Sequence, residues 1–216
     1  MENKRSKYLA PIAPTSHKYS RGIVGVIAGS NEYPGAAVLC TGGALRGGAG
    51  YIKFLNQSQR ATDLVLNRFP EVVPVEKNSE LTADAWVVGP GSSSLKVIPF
   101  APYLVLDSVA ISLAPTITGD TVVVVTPHEG EARELGYETV DRVECAKKMA
   151  EDFRAYVILK GAGTVIASPT GAEQIMEVLE YSLRLHGAAG KKAATKYGAV
   201  TASDVLEALT QLDQDF

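Results

Sequence analysis

Val122-Val123-Val124-Val125-Thr126-Pro127-His128-Glu129-Gly130-Glu131 is the stretch whose reading decides the fold. Side chains alternate between the two faces of a strand. A run that is apolar at every position therefore belongs to a strand buried on both faces, as in a parallel sheet covered by helices. The run ends abruptly in polar residues. In open α/β sheets the ligand crevice lies outside the carboxyl ends of the strands, so His128 and its neighbours stand where a ligand is expected.

Other runs repeat this pattern on either side. Ile23-Val24-Gly25-Val26-Ile27 ends in Ala28-Gly29-Ser30, and Tyr51-Ile52-Lys53-Phe54-Leu55 follows a Gly- and Ala-rich segment, residues 35–50. Val72-Val73-Pro74-Val75 is a weaker strand that Pro74 confines to an edge. Trp86-Val87-Val88 runs into Gly89-Pro90-Gly91, Leu104-Val105-Leu106 into Asp107, and Tyr156-Val157-Ile158-Leu159 into Lys160. Val165-Ile166-Ala167 is expected as a hairpin arm, with the turn at Pro169-Thr170-Gly171. Val143, Ala146, Ala150 and Phe153 share one face of a helix over 141–155. Thr201-Ala202-Ser203-Asp204 reads as a capping box, followed by a stripe of Val205, Leu209 and Leu212. Gly42 and Gly43 each cost a helix about 1 kcal/mol relative to alanine, which points to close packing against sheet or ligand. Residues 1–21, with Pro11 and Pro14, read as an irregular lead-in. The pattern predicts an α/β fold with a mostly parallel central sheet of about eight strands, as one domain over residues 1–216.

Composition narrows the function. The chain is 46% hydrophobic and 21% charged with a net charge of −3, which gives no footprint for nucleic acid. No apolar run approaches the roughly 20 residues of a membrane helix, and no membrane partner is expected. Two cysteines, Cys40 and Cys145, are too few for a disulfide framework and lack metal-ligand spacing. Reduced thiols and a cytoplasmic location follow as the expectation, and no protein metal site is expected.

The strand-end motifs carry the chemistry, each beside a plainer reading. Lys160-Gly161-Ala162-Gly163-Thr164 can bring backbone N–H groups close to a phosphate or base, or be a tight hairpin turn. His128 can hydrogen-bond a ligand, with Gly130 permitting an unusual turn, or be an incidental helix cap. Gly89-Pro90-Gly91 can let a ligand lie on a strand end, or be a βα turn. Asp107 can bind a hydroxyl or metal-bound water, or cap the segment beginning at Ser108. Thr118-Gly119-Asp120 precedes a strand rather than a helix and is a plain turn. His186 belongs on a late helix over 175–194, in the core or on the helix face.

In order, Ser16-His17-Lys18, Ile27-Ala28-Gly29-Ser30, Gly35-Ala36-Ala37, Leu45-Arg46-Gly47-Gly48-Ala49-Gly50, Gly89-Pro90-Gly91, Leu106-Asp107, the His128 motif, Leu159-Lys160-Gly161-Ala162-Gly163-Thr164 and Leu185-His186-Gly187-Ala188-Ala189-Gly190 resemble the NAD(P)H-hydrate dehydratases of the ribokinase-like superfamily. The resemblance implies a ribokinase-like fold and repair of a damaged cofactor. The (6S) hydrate of NADH or NADPH is phosphorylated on its added hydroxyl at the expense of ATP or ADP, and loss of phosphate restores the nicotinamide. By this resemblance Ala36, Gly91 and His128 match positions that contact the hydrated dinucleotide. Lys160, Gly161, Ala162, Gly163 and Thr164 match the adenine-nucleotide loop. Magnesium is implied as the charge-neutralising partner of phosphoryl transfer, and a homo-oligomer is implied as the assembly.

The chain departs from the family at one decisive place. The family carries Gly-Thr-Gly-Asp opening a helix, whose glycines form an anion hole and whose aspartate is the expected base. That string is absent, and Thr170-Gly171-Ala172 passes directly into Glu173-Gln174-Ile175-Met176-Glu177. The catalytic residue is therefore unknown, with Asp107 the strand-end acid to test as a replacement. A helix expected between Gly91 and Leu104 has only residues 92–102 to form in. Two rivals to the dehydratase follow: a non-catalytic nucleotide-binding protein, and a small-molecule kinase of the same superfamily.

Overall fold

The apolar runs become eight strands of one sheet: β1 (Ile23–Ile27), β2 (Tyr51–Leu55), β3 (Val73–Val75), β4 (Ala85–Val88), β5 (Tyr103–Leu106), β6 (Val122–Val125), β7 (Tyr156–Leu159) and β8 (Val165–Ala167). The structure is a computed structural model that describes residues 13–55, 57–76, 81–95, 97–196 and 198–212. The expected lead-in before residue 13, with Pro11, lies outside them. The strand order is β3-β2-β1-β4-β5-β6-β7-β8, with every pair parallel except β7–β8. Pro74 sits on edge strand β3, where its missing N–H costs no ladder bond.

Register fixes which residues share a face. Val26, Val87, Val105, Val124 and Tyr156 are successive partners across the central strands, and Ile27, Val88, Leu106, Val125 and Val157 are the next row. The two rows point to opposite faces. On the first face Val26 packs with Ala37 of helix α1 (Pro34–Arg46) and with Ala61 and Val65 of α2 (Gln59–Arg68). Further along it, Val124 and Tyr156 meet Leu179. On the second face Ile27, Val88, Leu106 and Val125 pack with Ile111 of the 3-10 segment Ser108–Thr116 and with Ala146 and Met149.

Three helices complete the described chain after α3 (Glu129–Glu134): α4 (Arg142–Phe153), α5 (Met176–Lys196) and α6 (Ala202–Ala208). Asp141 caps α4, its Oδ1 accepting from the N–H groups of Val143 at 2.9 Å and Glu144 at 3.0 Å. Thr201 and Asp204 form the expected capping box of α6. Val205, Leu209 and Leu212 pack against Ala189, Ala193 and Ala208.

Five expectations need correction. Val143 is exposed while Cys145, Ala146, Met149, Ala150 and Phe153 are buried, because the first turn of α4 stands at the strand ends with no sheet to cover it. Gly42 meets Leu206 of α6 and Phe69, not sheet or ligand, and nothing lies within 4 Å of a Cβ on Gly43. The hairpin joins β7 to β8 through residues 160–164, so Pro169-Thr170-Gly171 is its exit. Burial on both faces holds at the end of β1, from Gly25 to Ile27, but Val87 and Val105 are only half-buried on the α1 side. Among the described residues no helix forms between β4 and β5, where a parallel crossover ordinarily supplies one to cover the sheet.

Trp86 is fully buried, and its Nε1–H donates to the Leu81 carbonyl at 3.0 Å. Gly25 leaves room for its indole. Burying such a side chain contributes roughly 3 kcal/mol, which makes β4 a fixed post for the loop that follows it. Among the described residues no helix is long and apolar enough to cross a membrane.

Candidate functional site

The sheet reverses its order at β1, whose neighbours β2 and β4 lie on opposite sides. A crevice opens at such a switch point. The two strand ends that border it are laced by backbone: the Gly89 N–H donates to the Ile27 carbonyl at 2.9 Å, and the Gly29 N–H to the Pro90 carbonyl at 2.7 Å. Gly89 and Gly91 hold φ of +113° and +66°, which a side chain disfavours. A Cβ on Gly91 would also press on the Cβ of Ala36 and lie 3.1 Å from the Tyr33 carbonyl. The structure thus brings Ala36, in the first turn of α1, against Gly91 at the end of β4. Beside them is a polar cavity of about 120 Å³ lined by Ser30, Asn31, Gln57, Ser58, Ser93 and Ser94, among others. The Gln57 amide nitrogen is buried with no hydrogen-bond partner.

His128 and Lys160 meet at the ends of β6 and β7. They are register partners in an isolated parallel bridge, and the Lys160 N–H donates to the Pro127 carbonyl at 2.7 Å. His128 caps α3: its Nδ1 accepts from the Glu131 N–H at 3.1 Å, while its own N–H donates to Glu131 Oε2 at 2.8 Å. The plainer cap reading is therefore met, yet the imidazole remains 57% exposed, with its Nε2 3.6 Å from Glu131 Oε2. Gly130 opens no unusual turn. It is helical, and a Cβ there would lie 2.7 Å from His128 Cε1, so this glycine clears space for the ring.

Lys160 is the electrostatic centre. Its ammonium lies 2.7 Å from Asp107 Oδ1 and 3.9 Å from Glu131 Oε2. Asp107 Oδ1 also accepts from the Thr126 hydroxyl at 2.7 Å. The reading of Asp107 as a cap fails: it occupies the N-cap position of the 3-10 segment without a side-chain cap bond, because two stronger partners take its carboxylate. The next residue, Ser108, holds φ of +52°, a left-handed conformation that is costly away from glycine and that fixes the turn at this strand end. The charge of Asp107 reaches α1 as well. Burial, and then that negative charge, push the Cys40 thiol up to about 12.

Arg142 completes the second cluster, and the sequence reading did not select it. From the first turn of α4 its Nη2 donates to the Leu159 and Lys160 carbonyls, each at 3.2 Å, and its Nη1 to the Gly163 carbonyl. Its Nε lies 2.9 Å from Glu129 Oε1. A cation at a helix N-terminus opposes the helix dipole, and that misplacement was the available signal. Gly161 is explained by the same contact, since a Cβ there would press into the Arg142 guanidinium, 3.0 Å from its Cζ. Neither Gly161 nor Gly163 has a positive φ. Thr164 turns its hydroxyl inward to the Gly161 carbonyl at 3.2 Å.

Gly29, Gly91, Asp107, His128 and Lys160 therefore end adjacent strands β1, β4, β5, β6 and β7. At roughly 4.8 Å per strand the row is about 19 Å long, enough for two extended ligand parts end to end. Three other expected features fall elsewhere. Thr118-Gly119-Asp120 is a plain turn before β6, and His186 is exposed on α5. After β8 the chain turns at Thr170-Gly171 and enters α5 at Met176, with no second glycine loop at the row. Among the described residues no three of His, Cys, Asp or Glu gather to hold a metal.

Comparison with known proteins gives the row a family. The model of the NAD(P)H-hydrate dehydratase family matches residues 24–190. The bifunctional NAD(P)H-hydrate repair enzyme Nnr of Mycobacterium leprae is 37% identical over 170 residues, covering 71% of this chain and 35% of that protein. The Escherichia coli Nnr is 35% identical over 193 residues, covering 80% and 37%. The chain thus spans little more than a third of these relatives. A crystal structure of ADP/ATP-dependent NAD(P)H-hydrate dehydratase from Bacillus subtilis, co-crystallised with ATP and Mg²⁺, superposes with a TM-score of 0.79 at 23% identity, covering 93% of this chain and 92% of that one. A ribokinase-like superfamily protein from Enterococcus faecalis superposes with a TM-score of 0.77 at 19% identity, covering 93% and 89%. The fold is ribokinase-like, and the chain belongs to the NAD(P)H-hydrate dehydratase family.

Proposed function

We propose that this protein dehydrates the (6S) hydrate of NADH or NADPH at the expense of ADP or ATP. The observation that carries this reading is the strand-end row, in which Ala36 and Gly91 meet at the switch point while the His128 and Lys160 loops are bridged beside it. The hydrated dinucleotide lies from the Ala36–Gly91 contact to the exposed imidazole of His128. The adenine nucleotide lies against residues 160–164, where Lys160 supplies a point charge and the loop its amides. A terminal phosphoryl group passes to the added hydroxyl, whose proton leaves to a base. Phosphate then departs as the ring loses a proton and regains its double bond. Magnesium, when bound, neutralises the polyphosphate. The nearby carboxylates, Asp107 and Glu131, face Lys160, so the phosphates would be the main ligands of the ion. A cytoplasmic homo-oligomer is part of the same proposal.

Titration calorimetry tests the division of the row. His128→Ala is expected to weaken hydrated NADH about tenfold or more and leave ADP unchanged, and Lys160→Ala the reverse, from the loss of one charged or charge-assisted contact. Equal effects of both variants on both ligands contradict the proposal. A second reading, a nucleotide-binding protein without turnover, is favoured by one observation: no Gly-Thr-Gly-Asp exists in the chain, and α5 begins directly after the exit turn. It predicts saturable ADP binding with no release of phosphate.

A further inference from the structure

We propose that Arg142 is a positioning residue that shapes the 160–164 loop into an anion-accepting surface and ties it to the His128 loop. The proposal rests on the reading of that loop as the nucleotide site. In a trans peptide the C=O and the following N–H point in opposite directions. Arg142 draws the Leu159, Lys160 and Gly163 carbonyls to one side. The N–H groups of Lys160, Gly161 and Thr164 are thereby turned to the other. The Lys160 N–H shows that direction but is itself taken by the Pro127 carbonyl at 2.7 Å, so the N–H groups of Gly161 and Thr164 are the ones left to donate to the anion. The guanidinium fork suits this task, since one planar group holds three acceptors in fixed directions, which a lysine ammonium does not.

Gly161 and Arg142 form one device. The guanidinium occupies the space that a side chain at 161 would need. The ion pair to Glu129 fixes the fork from the residue next to His128, so an order imposed on one loop is felt by the other. Asp141 and Glu144 in the same turn offset the cation's position at a helix N-terminus.

The test is a double-mutant cycle read by Mg-ADP titration and by hydrogen exchange of residues 160–164. Arg142→Ala is expected to raise the ADP Kd about tenfold or more and to speed exchange in the loop alone, and Arg142→Lys to recover part of both. Gly161→Ala is expected to weaken binding by a similar factor in the wild-type background and by little in the Arg142→Ala background, because the two changes break one contact. Wild-type affinity in Arg142→Ala, or effects that simply multiply, overturns the proposal. If the wild-type protein binds no ADP, the nucleotide reading falls by itself. Hydrogen exchange then decides on Arg142: faster exchange confined to the loop supports it, and unchanged exchange overturns it.

Discussion

Asp107→Asn separates charge from shape at the centre of the site. Asparagine keeps the acceptor for the Thr126 hydroxyl and removes only the charge opposite Lys160. At the observed 2.7 Å, two unit charges attract by about 1.5 kcal/mol in a medium like water and about 6 kcal/mol at an effective dielectric constant of 20. The lysine side chain is 42% exposed and the aspartate 21%, so solvent screening and side-chain ordering remove most of that gain, leaving about 1 kcal/mol. Asp107→Ala also deprives the Thr126 hydroxyl of its 2.7 Å acceptor, with the Leu106 carbonyl at 3.4 Å as the remaining one, adding about 1 kcal/mol. Urea unfolding, followed through the single tryptophan, is expected to show losses of about 1 and 2 kcal/mol, the first shrinking as salt is raised. Freed from the nearer of its two carboxylates, Lys160 is expected to bind ADP several-fold more tightly at low salt. A Kd that rises in Asp107→Asn refutes this reasoning, because it means that the carboxylate serves the ligand directly instead of holding Lys160.

Three further outcomes follow from single contacts. Gly130→Ala gains about 1 kcal/mol of helix propensity but displaces the His128 ring and its cap bond, worth about 1 kcal/mol; thermal melting is expected to show near-wild-type stability while hydrated NADH binds more weakly, and unchanged binding contradicts the ring-clearance role. The Cys40 and Cys145 thiols, both pushed up chiefly by burial, are expected to react with a thiol reagent at pH 8 far more slowly than after unfolding. For Cys40, raised from 9.0 to about 12, the thiolate fraction falls on the order of a thousandfold, and rapid labelling of the native protein disproves it. Asp204 is held below the usual carboxylate range by hydrogen bonds from Thr201, so its stabilising effect is complete above its unfolded value and fades as pH falls through the lowered folded one; Asp204→Asn is expected to lower the melting temperature at pH 7 and to lose that effect progressively as pH falls through that lowered value.

Much of this was legible in the chain because burial writes itself into composition. Runs without polar interruption, such as the four valines of β6, belong to strands covered on both faces, and their polar ends mark one edge of the sheet. Pro74 on an edge strand and the Thr201–Asp204 box follow from backbone chemistry that acts within a few residues. Long-range choices were not legible. Asp107 faces either its own helix end or Lys160, 53 residues away, and only the fold brings the stronger partner near. Gly130 reads as permitting an unusual turn and Gly161 as bringing backbone close to a ligand, whereas each makes room for a side chain, His128 and Arg142. Arg142 acts on backbone carbonyls, which leave no mark in a sequence beyond a cation at the wrong end of a helix.

The central claim is turnover, and one assay addresses it: hydrated NADH incubated with the protein, magnesium and ADP or ATP, following the return of reduced-nicotinamide absorbance together with released phosphate. The account predicts both products in equal amounts, with recovery lost in His128→Ala and Lys160→Ala. Nucleotide binding without either product contradicts it and leaves a binding protein on a kinase-like scaffold; a stable phosphorylated product without reduced nicotinamide contradicts it in favour of a kinase.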